Sequence, residues 1–151
     1  MKNLVIDSST KIIEVSAYSG DDEIETVIFE DGDTPLIVEE EAFAYCENLT
    51  KVDFGKRKII LGNSAFYCCP FYQLEIPSNV TLGVNCFADN YNLERLTIDT
   101  AIIPDYCFIN NEEDGELESI YLSDNVVEIG EQAFGGLVIM NELVQSKVHK
   151  R

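Results

Sequence analysis

The 151-residue chain has no tryptophan and a single histidine, His149, which lies among its last three residues. A Ser-His-Asp or Cys-His arrangement needs a histidine held inside a folded site, so this histidine is not available for such catalysis. The sequence also lacks a Gly-rich phosphate loop, a Walker pattern and a GxSxG motif. We therefore predict that the protein is not an enzyme, and we expect it to need no cofactor.

Basic residues are scarce: ten lysines and arginines stand against 28 acids, giving a formal net charge of -18. An acidic surface repels phosphate backbones and anionic lipid, which argues against nucleic-acid binding and against attraction to a membrane surface. The charge is explained most simply by solubility. A partner with a basic face and weak binding of divalent cations remain open alternatives.

Long apolar runs are absent as well. Only Leu4-Val5-Ile6 separates Met1-Lys2-Asn3 from Asp7, which is too short for the core of a signal peptide, and no run approaches the ~20 residues of a membrane span. We expect no membrane insertion, and a chain that, as written, stays in the cytoplasm where it is made.

What the sequence does contain is a repeated unit in which a small residue precedes an aromatic ring. The ring positions are 25, 23, 21, 21 and 26 residues apart. The pairs are Ala17-Tyr18, Ala42-Phe43, Ala65-Phe66, Cys86-Phe87, Cys107-Phe108 and Ala133-Phe134. An apolar triplet with an exposed centre, such as Ile120-Tyr121-Leu122, follows each ring. A fixed period of ~20 to 29 residues with such triplets is typical of leucine-rich repeats.

The unit resembles the BspA-like leucine-rich repeat family. The matching segments are Leu74-Glu75-Ile76-Pro77-Ser78-Asn79-Val80, Val126 to Gly130 with Ala133-Phe134, and Ala42-Phe43 with Cys46. The resemblance runs from Leu4 to about Gln145. It implies a protein-binding module, and it implies export or surface attachment if a leader has been removed.

We predict a mainly β fold: a right-handed leucine-rich repeat solenoid with short parallel strands on one face and turns, short 3-10 or β segments on the other. Strands are expected at 4–6, 27–29, 52–54, 74–76, 96–98, 120–122 and 143–145. Residues 1–145 form one domain, and 146–151 form a frayed basic tail. A helix over 137–146 is the competing interpretation of the last coil.

Several local features receive structural interpretations. The five cysteines lack metal-ligand spacing, and two pairs share a repeat position, so we predict buried, reduced thiols and no metal site. Asn110 to Glu116 imitates the start of an EF-hand, but Tyr121 stands where the bidentate glutamate belongs, so a surface loop is expected. Lys56-Arg57-Lys58 is interpreted as a solvated turn. Pro77 is expected to cost no central ladder bond.

Alternation along the strands predicts one continuous exposed face. Its candidate partner-binding residues are Ile28, Asp53, Glu75, Arg95 and Tyr121. The favoured function is non-enzymatic binding of an unidentified protein partner across this face, as extended repeat surfaces allow. The alternative is a scaffold or spacer without a dedicated ligand site. The sequence leaves the oligomeric state open.

Overall fold

The structure is a computed structural model that describes residues 2–112, 115–143 and 149–150. The chain winds through six coils and begins a seventh, and each complete coil has a front strand, a back strand and a third side made of turns. The front strands are β1 (Lys2–Ile6), β3 (Ile24–Phe29), β5 (Lys51–Asp53), β7 (Gln73–Ile76), β9 (Arg95–Ile98), β11 (Gly115–Leu122) and β13 (Leu137–Leu143). The back strands are β2 (Ile12–Ile13), β4 (Leu36–Val38), β6 (Ile59–Leu61), β8 (Val80–Thr81), β10 (Ile102–Ile103), β12 (Glu128–Ile129) and β14 (His149–Lys150).

The predicted solenoid is confirmed, since strands of successive coils pair in parallel and the described residues contain no helix. The last coil differs in detail from the prediction. Its strand begins at Leu137, and Leu143 pairs with Tyr121 instead of Ile120. Residues 144–145 of the predicted strand lie outside the described residues. Within the predicted tail, His149 and Lys150 pair with β12.

The turn side is held by a backbone feature that the sequence analysis did not identify. The residue before each small-ring pair has a positive φ, for example 56° at Glu41 and 58° at Ser64. This geometry turns alternate N–H groups toward the next coil: Glu41, Phe43 and Tyr45 donate to the carbonyls of Asn63, Ala65 and Tyr67. Backbone strain of ~1 to 3 kcal/mol per residue is thus offset by three bonds at each coil interface.

The core is a column of aromatic rings that runs along the whole stack, as the spacing predicts. Consecutive rings lie 5.2, 5.0, 5.3, 5.5 and 5.6 Å apart and are within 7° of parallel. The four inner rings, Phe43, Phe66, Phe87 and Phe108, are buried, whereas the end members Tyr18 and Phe134 are half-buried. Each inner ring therefore has a partner on both faces.

The cysteines also occupy the predicted columns. Cys46 and Cys69 are buried, and each thiol lies 3.2 Å from the carbonyl oxygen of the ring residue in the preceding coil. Cys86 and Cys107 are fully buried in the place of the usual alanine. Repeat position thus explains four of the five cysteines as small core residues.

Arg57 is buried, at 2% exposure, so the interpretation of this position as part of a solvated turn is wrong. Its Nε donates to the Thr34 carbonyl at 2.7 Å, its Nη1 to the Asp7 carbonyl at 3.4 Å, and its Nη2 to the Thr10 carbonyl. The side chain therefore reaches from the third coil across the second to the first. A charged residue in a basic run is normally exposed, so only the coil-to-coil register reveals this role.

Each face of the solenoid contains one interruption, which we call a seam. The front strands form two sheets, β1-β3-β5 and β7-β9-β11-β13, and the back strands also form two, β2-β4-β6-β8 and β10-β12-β14. Where the sheets are intact, the residue that follows a strand can donate its N–H to the preceding coil. Asp99 donates to the Ile76 carbonyl on the front face, and Gly130 donates to the Ile103 carbonyl on the back face. The corresponding positions at the seams are Pro77 and Pro104, which have no N–H. Pro77 follows β7, as expected, but it cannot donate the bond that Asp99 makes after the end of β9.

Candidate functional site

The five predicted partner-binding residues do lie on one side of the front strands. Ile28 is paired with Asp53 across β3 and β5, and Glu75, Thr97 and Tyr121 are in register across β7, β9 and β11. Arg95 stands two residues before Thr97, so it shares this side of its strand. Together these positions form an exposed polar row with an apolar residue toward each end.

The exposure of the row is uneven. Tyr121 is 44% exposed and Val5, which extends the row through β1, is 50% exposed, whereas Ile28 is half-buried. Arg95 is held in a surface ion pair, with its Nη2 3.8 Å from Oε2 of Glu118. Tyr121 is therefore the largest exposed apolar side chain of the row, and Ile28 is less exposed than alternation along β3 predicts.

The front seam divides the row between Asp53 and Glu75, so the predicted continuous face is wrong. Between β5 and β7 lies a groove of about 340 Å³, lined by Lys51, Val52, Tyr72, Gln73 and Glu75. Val52, which alternation would bury, is half-exposed there, and Tyr72 is 53% exposed. Two sequence signals could have located the seam: the coil after Phe66 is one residue short, and Pro77 follows its strand.

The back face carries a second row that the sequence analysis missed. Ile12, Ile37 and Ile60 are in register across β2, β4 and β6, and Ile102 continues the pattern in β10. Ile12 and Ile102 are 52% and 50% exposed. This row is more apolar than the front row and lies on the opposite face, so it serves as the comparison surface.

On the turn side, the carboxylate of Asp89 is nearly buried, with the residue 4% exposed. Its Oδ2 accepts the Tyr67 hydroxyl at 2.7 Å, and its Oδ1 accepts the backbone N–H of Asn111 at 2.8 Å. Burial pulls the pKa of Asp89 upward, but the bonds from Tyr67, Asn111 and Tyr91 outweigh it and hold the pKa below its usual value. Partial burial first, and the Asp89 charge second, raise the pKa of Tyr91 to about 12.

The buried thiols are poorly suited to nucleophilic chemistry. Burial raises the pKa of Cys46 to about 11 and that of Cys86 to about 12, so these thiols stay protonated and poorly nucleophilic. The described part contains no group of three or more His, Cys, Asp or Glu side chains placed to hold a metal ion. Of the predicted loop, Asn111 is bonded to Asp89 and Gly115 already belongs to β11. No helix capable of crossing a membrane is found in the described ranges.

Comparisons with known proteins found one family and two solved structures that are similar to this chain. Residues 1–114 match the "BspA type Leucine rich repeat region" in six copies. The crystal structure of a leucine-rich repeat protein from Bacteroides ovatus is similar over 99% of this chain, with 18% identity and a TM-score of 0.54. A leucine rich cell surface protein from Faecalibacterium prausnitzii aligns over 98% of this chain, with 15% identity and a TM-score of 0.40.

These alignments span 56% and 62% of the two crystallised chains, so the present chain is about three fifths of their length. At these identities the likeness to the Bacteroides ovatus protein concerns the fold. No curated protein matches the sequence. Because the family match covers three quarters of the residues, the chain belongs to the BspA-type leucine-rich repeat family.

Proposed function

We propose that the protein is a non-enzymatic binding module that docks a protein partner across the front strand face, centred on Ile28, Asp53, Glu75, Arg95 and Tyr121. The observation that carries the proposal is the row of front-strand side chains, which are in register within each of the two front sheets, with Tyr121 exposed at one end. Solenoid proteins use such extended surfaces for contacts. Tyrosine is also favoured at the centres of binding energy in interfaces.

A pair of double variants tests the face. Ile28→Thr with Tyr121→Ala removes apolar area from the front row while keeping a β-branched residue in β3. Ile12→Thr with Ile102→Ala removes similar area from the back row and serves as the matched control. Each immobilised variant, together with the parent, is incubated with extract of the source organism at low and physiological salt.

We expect the parent and the back-row variant to retain the same saturable partner, and the front-row variant to lose at least tenfold in affinity. Melting temperatures of all three proteins check that folding is unchanged. Loss of the partner by the back-row variant alone would assign binding to the other face. A parent that retains only salt-sensitive background would favour the scaffold alternative.

A further inference from the structure

The front seam opens onto a second groove, and Tyr72 lines both. This corner groove, where the strands begin, has a volume of about 590 Å³ and includes Tyr91, Leu93, Glu94 and Glu116 in its lining. Leu93 is 3% exposed and supplies an apolar floor, while Tyr72 and Tyr91 are 53% and 41% exposed. An extended chain bound on the front row could enter the seam between β5 and β7 and would then pass over Tyr72 into the corner groove.

Both tyrosines are anchored at one end and open at the other. The Tyr72 carbonyl accepts the N–H groups of Glu94 at 2.8 Å and Arg95 at 3.1 Å, which fixes its backbone beside the groove. The Tyr91 hydroxyl interacts with the buried Asp89 carboxylate, which accepts hydrogen bonds from Tyr67 and Asn111. The Tyr72 backbone and the Asp89 carboxylate are thus held by bonds that exist before a ligand binds, which lowers the cost of ordering the groove.

The charge around these rings is mainly negative. The carboxylates of Glu75, Glu94 and Glu116 line the two grooves, and Lys51 is the only basic residue among their lining positions. Arg95, the next nearest cation along the chain, is already paired with Glu118. Aromatic faces attract cations, and a nearby carboxylate can pair with the same cation, so the site is complementary to a positively charged side chain.

We propose that the corner groove, with its rings Tyr72 and Tyr91, binds arginine or lysine side chains of a basic, extended segment of the protein partner. The cationic group lies against the tyrosine rings and pairs with Glu94 and Glu116, while the segment's backbone continues through the seam along the front row. This inference rests on the proposed function and specifies the chemistry of its partner. It also assigns a binding role to some of the carboxylates behind the chain's net charge of -18.

The test uses a fluorescein-labelled nonapeptide of alternating arginine and serine, with a second peptide in which citrulline, a neutral analogue, replaces arginine. Binding to the full chain is followed by anisotropy at 50 and 150 mM salt. One variant carries Tyr72→Ala and Tyr91→Ala, and another carries Glu94→Gln and Glu116→Gln. The matched controls are Tyr45→Ala, which removes a tyrosine that is 52% exposed on the turn side, and Glu14→Gln with Glu40→Gln, which removes the same charge elsewhere.

We expect the arginine peptide to bind the parent and the citrulline peptide to bind at least tenfold more weakly. Each groove variant should weaken arginine-peptide binding at least fivefold, and each control should change it less than twofold. Equal weakening in groove and control variants would show diffuse attraction to an acidic surface, and no binding of the arginine peptide up to 1 mM would also overturn the proposal.

The proposed function is judged separately. A partner that is captured through the front row but is not displaced by the arginine peptide would end this inference and leave the proposed function standing. Conversely, groove-specific binding of the peptide without any saturable partner on the front row would contradict the proposed function itself.

Discussion

Truncation of the central ring, Phe87→Ala, is the most direct test of the stacked core. Phe87 is 1% exposed, its ring lies 5.3 Å from that of Phe66 and 5.5 Å from that of Phe108, and the edge-on ring of Phe71 is 6.0 Å away. Burying such a side chain contributes ~1.5 to 3 kcal/mol, and each aromatic pair adds ~0.5 to 1.5 kcal/mol. Allowing for partial collapse of the cavity, we expect the free energy of unfolding to fall by about 4 kcal/mol.

The end of the same column supplies the control. Phe134 is half-buried and has one stacked partner, Phe108, at 5.6 Å, so Phe134→Ala should cost roughly half as much or less. Both values are obtained from urea unfolding followed by circular dichroism, since the chain contains no tryptophan. A loss below about 1 kcal/mol for Phe87→Ala, which is typical of surface sites, would refute the stacked column, as would equal losses for the two variants.

Three further predictions concern buried polar groups. Arg57→Met should lower the free energy of unfolding by ~2 to 4 kcal/mol because it leaves the Thr10 and Thr34 carbonyls unpaired. The control Lys56→Met should change it by less than ~0.5 kcal/mol. Equal effects of the two variants in urea titrations would contradict the role of Arg57 in joining the first three coils. The native pKa of Asp89 lies below its reference value of 3.8, so its carboxylate stabilises the fold at neutral pH and loses that effect as the pH falls below about 4. Asp89→Asn should therefore show a smaller decrease in urea midpoint between pH 7 and pH 3 than the parent. Intact mass without reductant should equal that of the fully reduced chain, and a deficit of two hydrogens per cysteine pair would contradict reduced thiols.

Sequence alone predicts the ring column and six of the front strands because their spacing is a local property that every coil repeats. It fails where an outcome depends on which residues meet between coils. The sequence around Arg57 predicts a surface cation, and only the coil-to-coil register shows that its side chain bonds to the carbonyls of Thr10 and Thr34. The effect of Pro77 is visible only when it is aligned with Asp99, whose N–H donates to the preceding coil. The left-handed turns were missed because residues as different as Glu41 and Asn85 occupy them without a glycine signal.

Sequence alone predicted on which side of the strands the candidate residues lie, but it did not predict that the front sheet is interrupted between them. Alternation places Asp53 and Glu75 on the solvent side of their strands, as the structure has them. Alternation contains no information about the distance between strands, so it could not predict a groove between these two residues. Tyr72 was not predicted as a site residue because it lies before β7, outside the alternating positions. It lines a groove only because the sheet is interrupted there.

The two seams lie at different levels of the stack, and this offset has a consequence for how the molecule opens. The front sheet is interrupted before the coil that begins with β7 and the back sheet after it, so this coil is joined to each neighbour by one sheet and the turn side. We expect native-state hydrogen exchange to reveal two cooperative blocks that separate at this coil, with amides of β5 and β10 exchanging by smaller openings than those of β3 and β11. Under tension applied through the termini, the same coil would yield first and act as a joint between two stiffer rods.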